Sequence, residues 1–179
     1  DAVALLWRLN LRGVDVGNRW QELSLAYEQM ELGGYYAFND MHAVMAHTAA
    51  DRAFAAERCL ERMREAAHGC GTNAMMTADV GLPAAEAMKA FMNGDYRTTV
   101  DRLYGIRAFA HQFGGSNAQR DVLGVTLVEA AIRGGQRGLA VALVNERLSA
   151  KPASPTNRML QDRARGASEP RLAVVADVA

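Results

Sequence analysis

Three short polar breaks, almost evenly spaced and each flanked by helical runs, constrain the fold of this chain more than any other feature. They lie within "AADRAFAAERCL", "MNGDYRTTVDRL" and "RGGQRGLAVALV", and their equivalent positions are Asp51, Gly94 and Gly135, separated by 43 and 41 residues. A break of a few small or polar residues joins two helices as a hairpin. Hairpins that recur at a fixed period stack as an array, because each unit buries its apolar face only against its neighbours. Ala56 and Ala140 stand five residues after their breaks, with Thr99 at the matching place in the middle unit. Small residues belong there, where the second helix of a hairpin approaches the first.

Hydrophobic periodicity fills in the helices between the breaks. It predicts helices over residues 2–11, 18–30, 40–49 and 53–67, one from Pro83 to the "NGD" turn, then 96–110, 117–133, 137–149 and a short one after "PASP". Asn18 is placed as the cap of the second helix and Pro83 in the first turn of the fifth. Trp7 and Trp20 read as anchors between the first two helices, with Asp15 receiving Arg12 or Arg19. Runs of β-branched residues are nearly absent before the final "LAVVADVA", so no sheet is expected. The expected fold is all-α. It is a right-handed array of about four stacked antiparallel helical hairpins over residues 1–164, with a tail at 165–179 whose structure the pattern leaves unassigned.

The small residue after the break, the G-D-Y turn of "FMNGDYRTTVDRL" and the proline that stops the third unit in "RLSAKPASP" resemble a tetratricopeptide repeat. The period exceeds that repeat's usual length of about 34 residues, and Ala90 replaces the usual tyrosine four residues before the turn. On a finer scale, "LLWRLNLRGVDVGNRW" (5–20), "GYYAFNDMHAVMA" (34–46), "GGSNAQRDV" (114–122) and "LSAKPASP" (148–155) resemble the tetratricopeptide repeat protein 38 family in order and spacing. The resemblance reaches to about residue 162. It implies the C-terminal portion of a longer protein, preceded there by further helical repeats, and it carries no established reaction.

Polar residues gather at two helix starts. In "GGSNAQRD", Ser116 and Gln119 fit a capping box, the glycines permit the entering turn, and Asp121 suits the early turns of a helix. Arg120 does not, because a cation near the positive end of a helix needs an anion. Two readings stay open: an ion pair with Asp79, Asp40 or Asp101 that ties hairpins together, or a clamp for an external anion or peptide carboxylate. Asn117 belongs to the same surface. In "FNDMHAVMAH", Asn39 reads as an N-cap with Phe38 as its hydrophobic staple, followed by Asp40 and His42. His47 lies about 140° around the helix from His42, so the two cannot chelate one ion from one face.

The first-helix starts of successive hairpins should line one edge. Asn39, Asp40 and His42 would then share a groove with Asn117, Arg120 and Asp121, about 20 Å away with one helix between them. His111 follows the sixth helix, where a histidine opposes the helix dipole.

Nothing in the sequence specifies a cofactor. No H-E-x-x-H, phosphate loop or G-x-S-x-G occurs, and no metal site is expected. Cys59 reads as core and Cys70 as a reduced surface thiol. The methionines read mainly as adaptable core filler. Lys+Arg and Asp+Glu are 20 each, which argues against a general nucleic-acid or anionic-membrane binder. The chain starts with aspartate, so its left end reads as a cut edge, and no basic leader precedes the first helix.

The leading expectation is a cytoplasmic interaction scaffold that presents a helical groove to a protein or peptide segment, one bearing a carboxylate. The alternatives are a hydrolase- or lyase-like enzyme using Asp40, His42, His111 and Asp121, and a module for self-association. Convergence of those groups in one open pocket would favour the enzyme; their dispersal would favour the scaffold.

Overall fold

The computed structural model describes residues 2–30 and 34–166. Every regular element among them is helical: α1 (Ala2–Leu11), α2 (Arg19–Gln29), α3 (Ala37–Ala49), α4 (Ala53–Ala67), α5 (Thr72–Met76), a π-helical turn (Thr77–Gly81), α6 (Leu82–Met92), α7 (Tyr96–Ile106), a 3-10 turn (Ala110–Phe113), α8 (Asn117–Arg133), α9 (Arg137–Ala150) and α10 (Pro155–Arg165). Most of the expected tail, residues 167–179, lies outside the described residues.

The three breaks have the same backbone geometry. Asp51, Gly94 and Gly135 all take positive φ, at 55°, 77° and 72°. In each, the next residue's N–H closes back five positions, Arg52 to His47, Asp95 to Ala90 and Gln136 to Ala131, at 2.8–2.9 Å. A second bond spans three positions in each, from Asp51, Gly94 and Gly135 to Thr48, Phe91 and Ile132. This pair of bonds satisfies the last carbonyls of a helix and needs a left-handed residue at the turn, which glycine takes at least cost and aspartate tolerates. The hairpins α3–α4, α6–α7 and α8–α9 follow from it. Ala56, Thr99 and Ala140 are all fully buried at their starts, and Thr99 turns its hydroxyl back to Ala87 O and Asp95 O.

Neighbouring elements pack in chain order: α3 against α4 and α6, α6 against α7, α7 against α8, α8 against α9, and α9 against α10. The first helix departs from that order. Besides α2, it lies on α3 and α8. Trp7, fully buried, meets the Phe91 ring of α6 at 5.9 Å and donates to Thr126 Oγ1 of α8 at 2.9 Å. Trp7 thus anchors α1 to the first helices of two hairpins, α6 and α8.

Several local expectations need correction. α3 begins at Ala37, three residues early, and Asn39 is an exposed residue of its first turn, not its cap. Capping comes from α5: Asn73 Oδ1 accepts from Ala37 N at 3.1 Å, and its Nδ2 donates to Gly34 O at 2.9 Å. Phe38 is therefore no staple to Asn39; it is buried against Phe113, with ring centroids 5.4 Å apart. Asn18 precedes α2 but makes no capping bond. Asp15 accepts from Gly17 N, and Arg12 and Arg19 turn elsewhere, to Met159 Sδ and Val16 O. The stretch before Pro83 is helical, and the sixth predicted helix stops at Ile106.

One buried charge lies at the centre. Glu129, on α8, has no exposure and accepts from Arg133 Nε at 3.3 Å and from Arg163 of α10. Arg133 also donates to Leu11 O at 3.0 Å and lies 5.0 Å over the Phe91 ring.

Two stability outcomes follow. Glu129→Ala should lower stability by about 3–5 kcal/mol, because it strips a buried carboxylate from its arginines. Ala56→Leu and Ala140→Leu should each cost about 1–3 kcal/mol through overpacking. Urea midpoints of the three variants measure both effects, and an unchanged midpoint in either leucine variant would contradict the tight hairpin contact.

Candidate functional site

The entry to α8 is built as its sequence prescribes. Ser116 Oγ accepts from Gln119 N at 3.3 Å, while Ser116 N donates to Gln119 Oε1 at 2.7 Å, completing the capping box. Gly115 must be glycine twice over: its φ is +71°, and a Cβ there would come within 2.5 Å of the Phe38 ring. That close approach seats the 114–116 turn on the start of α3.

Arg120 makes no ion pair with Asp79, Asp40 or Asp101. Its Nη1 donates to Gly114 O at 2.9 Å and to Gly115 O, and its Nη2 to Asn117 Oδ1 at 2.6 Å. Side chains on a helix lean toward its N-terminus, so an arginine in the first turns reaches back over the cap to the loop carbonyls. All three acceptors are neutral, and the guanidinium charge meets no carboxylate among the described residues. Asp121, one residue on, pairs with Arg147 of α9 at 2.9 Å. It therefore serves a bond between helices rather than the α8 dipole.

Four of the candidate residues converge. His111, Asn117, Arg120 and Asp121 line a cleft of about 270 Å³ between α7 and α8, with an apolar floor from Leu103, Ile106, Leu123 and Leu127. The structure adds Arg107 at its rim, bonded to Glu146 at 2.8 Å and lying 4.6 Å over the Tyr104 ring.

Asp40 and His42 do not join them. Asp40 is 1% exposed and His42 4%. His42 Nδ1 pairs with Phe38 O at 2.8 Å, and its ring lies 4.5 Å from that of Phe38. Burial pushes its pKa down, and the nearby Arg8 charge adds to the effect, so the ring is held neutral. Asp40 Oδ2 accepts from Gly34 N at 2.9 Å, while Oδ1 has no partner among the described residues. Burial pushes its carboxyl up to about 6, against the opposing pull of the Gly34 and Tyr36 amides. Phe38 touches both the His42 ring and, across the Gly115 turn, the segment that leads into α8, but neither Asp40 nor His42 lines the open cleft.

Other reactive-looking groups are structural. Ser24 Oγ meets His47 Nδ1 at 2.7 Å, with Arg52 donating to the same hydroxyl at 3.2 Å and pairing with Glu28. Ser24 is fully buried, so no substrate reaches it. Cys59 is buried, and desolvation first, with the Asp40 charge second, pushes its thiol up to about 12. Met41, Met45, Met63 and Met88 are core residues. Among the described residues, no group of three or more His, Cys, Asp and Glu could hold a metal ion, and no helix is long and apolar enough to cross a membrane. No protein-family model matches the chain, and no solved structure matches it.

Sequence reasoning missed Arg147 and Gly124. The signal existed: a glycine mid-way along an apolar helix marks a close approach. A Cβ at Gly124 would sit 2.8 Å from Arg147 Nη1, so the glycine clears the path by which Arg147 crosses α8 to Asp121.

The buried Asp40 generates a pH signature. Its raised pKa favours the protonated form in the folded state, so its stabilising contribution is full below about pH 4 and is lost as pH rises through about 6. Asp40→Asn removes this titration. Its urea stability should therefore gain on the parent by on the order of 2 kcal/mol between pH 4 and pH 7; a constant difference would refute the buried carboxyl.

Proposed function

We infer that the chain is an interaction scaffold that receives a short peptide segment, ending in or bearing a carboxylate, in the cleft between α7 and α8. One observation carries the reading: Arg120 lines an open cleft with an apolar floor, held in place by neutral acceptors only, so its charge is left for an external anion. A planar guanidinium already oriented by its own loop loses little freedom on binding. The floor of Leu103, Ile106, Leu123 and Leu127 offers burial for one or two apolar side chains next to the carboxylate.

The architecture that supports this scaffold is a right-handed array of hairpins, as in the C-terminal portion of the tetratricopeptide repeat protein 38 family. The three matching turns and the packing of α6 on α3 and α4 favour it. α1 covers part of α3, α6 and α8, so the groove expected on the first-helix face is taken by the chain itself. The partner's place moves to α7–α8. The enzyme alternative loses support, because Asp40 and His42 are enclosed and Asp121 is spent on Arg147. A cytoplasmic setting fits two unpaired thiols, one of them exposed.

A panel of fluorescein-labelled hexapeptides with apolar final residues, each made with a free and an amidated C-terminus, tests the reading by polarisation. Free-carboxylate peptides should bind, and amidation or Arg120→Ala should weaken binding at least tenfold. The same substitution should lower folding stability by only about 1 kcal/mol, since it removes bonds to a partly exposed loop. Equal binding of the free and amidated sets would overturn the assignment.

A further inference from the structure

Four cations converge on a second groove, across the Asp121–Arg147 pair from the peptide cleft. It has a volume of about 320 Å³ and lies between the end of α1, α8 and the α9–α10 turn. Arg8 lines it from the last turn of α1 and Arg12 from just beyond that helix, Arg147 from the last turn of α9 and Lys151 from just beyond it, and Ser154, Thr156 and Asn157 from the start of α10. Asp121 is the one carboxylate on its wall among the described residues.

The partners of these cations leave most of their charge uncompensated. Arg8 donates to Ala4 O at 3.0 Å and Ala118 O at 2.7 Å, both neutral carbonyls. Arg12 meets the thioether of Met159. Lys151 Nζ has no partner among the described residues. Only Arg147 is paired, with Asp121 at 2.9 Å, and its Nε also donates to Asn157 Oδ1 at 3.0 Å. A cation near a helix C-terminus is favoured by the dipole, which accounts for each of these residues singly. It does not account for two like-charged pairs facing a common groove, Arg8 with Arg12 just past the end of α1 and Arg147 with Lys151 just past the end of α9. Like charges gathered on one wall repel, and here four cations share it.

Further donors stand at the same place. Ser154 Oγ accepts from Asn157 N at 3.3 Å and keeps its own proton to give, and Thr156 offers another hydroxyl. The first turn of an eleven-residue helix, α10, opens on the groove with its positive end. Guanidinium forks, an ammonium and hydroxyls around a helix start form the donor set that suits phosphate oxygens. One carboxylate against four cations leaves more charge than a single phosphate neutralises. The volume falls at the lower end of small-ligand pockets, about 300–1,000 Å³.

We propose that this groove binds a small molecule carrying two or more phosphates, held by Arg8, Arg12, Lys151 and the hydroxyls of Ser154 and Thr156. Arg147 stays on Asp121 and forms the back wall. The site is independent of the peptide cleft, with which it shares only the Asp121 side chain as a lining residue.

Isothermal titration of the full chain with inorganic pyrophosphate, at fixed ionic strength, tests the proposal, with sulfate and inorganic phosphate as comparison anions. Pyrophosphate should bind at least tenfold more tightly than either. Lys151→Gln and Arg12→Gln should each weaken it at least fivefold, whereas Arg97→Gln, which removes an exposed cation of α7 away from the groove, should leave it unchanged. Lys151 has no side-chain bond to lose, so that variant tests the site without disturbing the fold. Pyrophosphate binding no tighter than sulfate, or an equal loss in all three variants, would overturn the proposal.

Discussion

A carboxylate taken wholly out of water must be paired and hydrogen-bonded, or it costs several kcal/mol. Glu129 meets that condition in the middle of α8, and much of the structure depends on how. Its two arginines come from its own helix and from α10, and Arg133 continues to the last carbonyl of α1 and the face of Phe91 on α6. Four helices far apart in sequence are thereby fixed to one point. Apolar packing alone is non-directional and would tolerate α1 in several positions along α8. The charge network, with the Trp7–Thr126 bond, selects one.

The same helix carries the second organising pair. Asp121 and Arg147 form a wall on which both open grooves lean: Asp121 lines each of them, and Arg147 closes the back of the cationic one. Gly124 makes the wall possible by letting the guanidinium cross close to the backbone of α8. On one side stands Arg120, aimed by loop carbonyls; on the other stand Arg8, Arg12 and Lys151. An ion pair between two hairpin helices thus divides a cationic flank into two places of different character, one with an apolar floor and one ringed by donors.

The start of α3 shows the opposite use of polar residues. Asp40, His42, Ser24 and His47 are the types that catalysis employs, yet burial holds both histidines below their ordinary pKa and raises that of Asp40. Each is bonded to nearby backbone or a neighbouring helix, and none of them lines the cleft between α7 and α8. Their role is to fix α2, α3 and the 34–40 segment against one another. A group needs access as well as chemistry to act on a substrate, and these four are buried.

Local rules were readable in the sequence wherever the cause was local. The helix breaks at Asp51, Gly94 and Gly135, the capping box of Ser116 and Gln119, and the small residues at Ala56 and Ala140 all depend on neighbours within one or two helical turns. The convergence of Asn117, Arg120 and Asp121 was legible for the same reason, and His111 joins them only because the short 3-10 turn brings it back. What tertiary structure alone decided was partnership at long range: Asn73 capping α3 in place of Asn39, Arg147 rather than the helix dipole for Asp121, and α1 laid on α8 instead of on α2 alone. Periodicity states which face of a helix is apolar but not which other helix covers it. A charged side chain long enough to reach several acceptors finds its partner only when the backbones that carry them have been brought together.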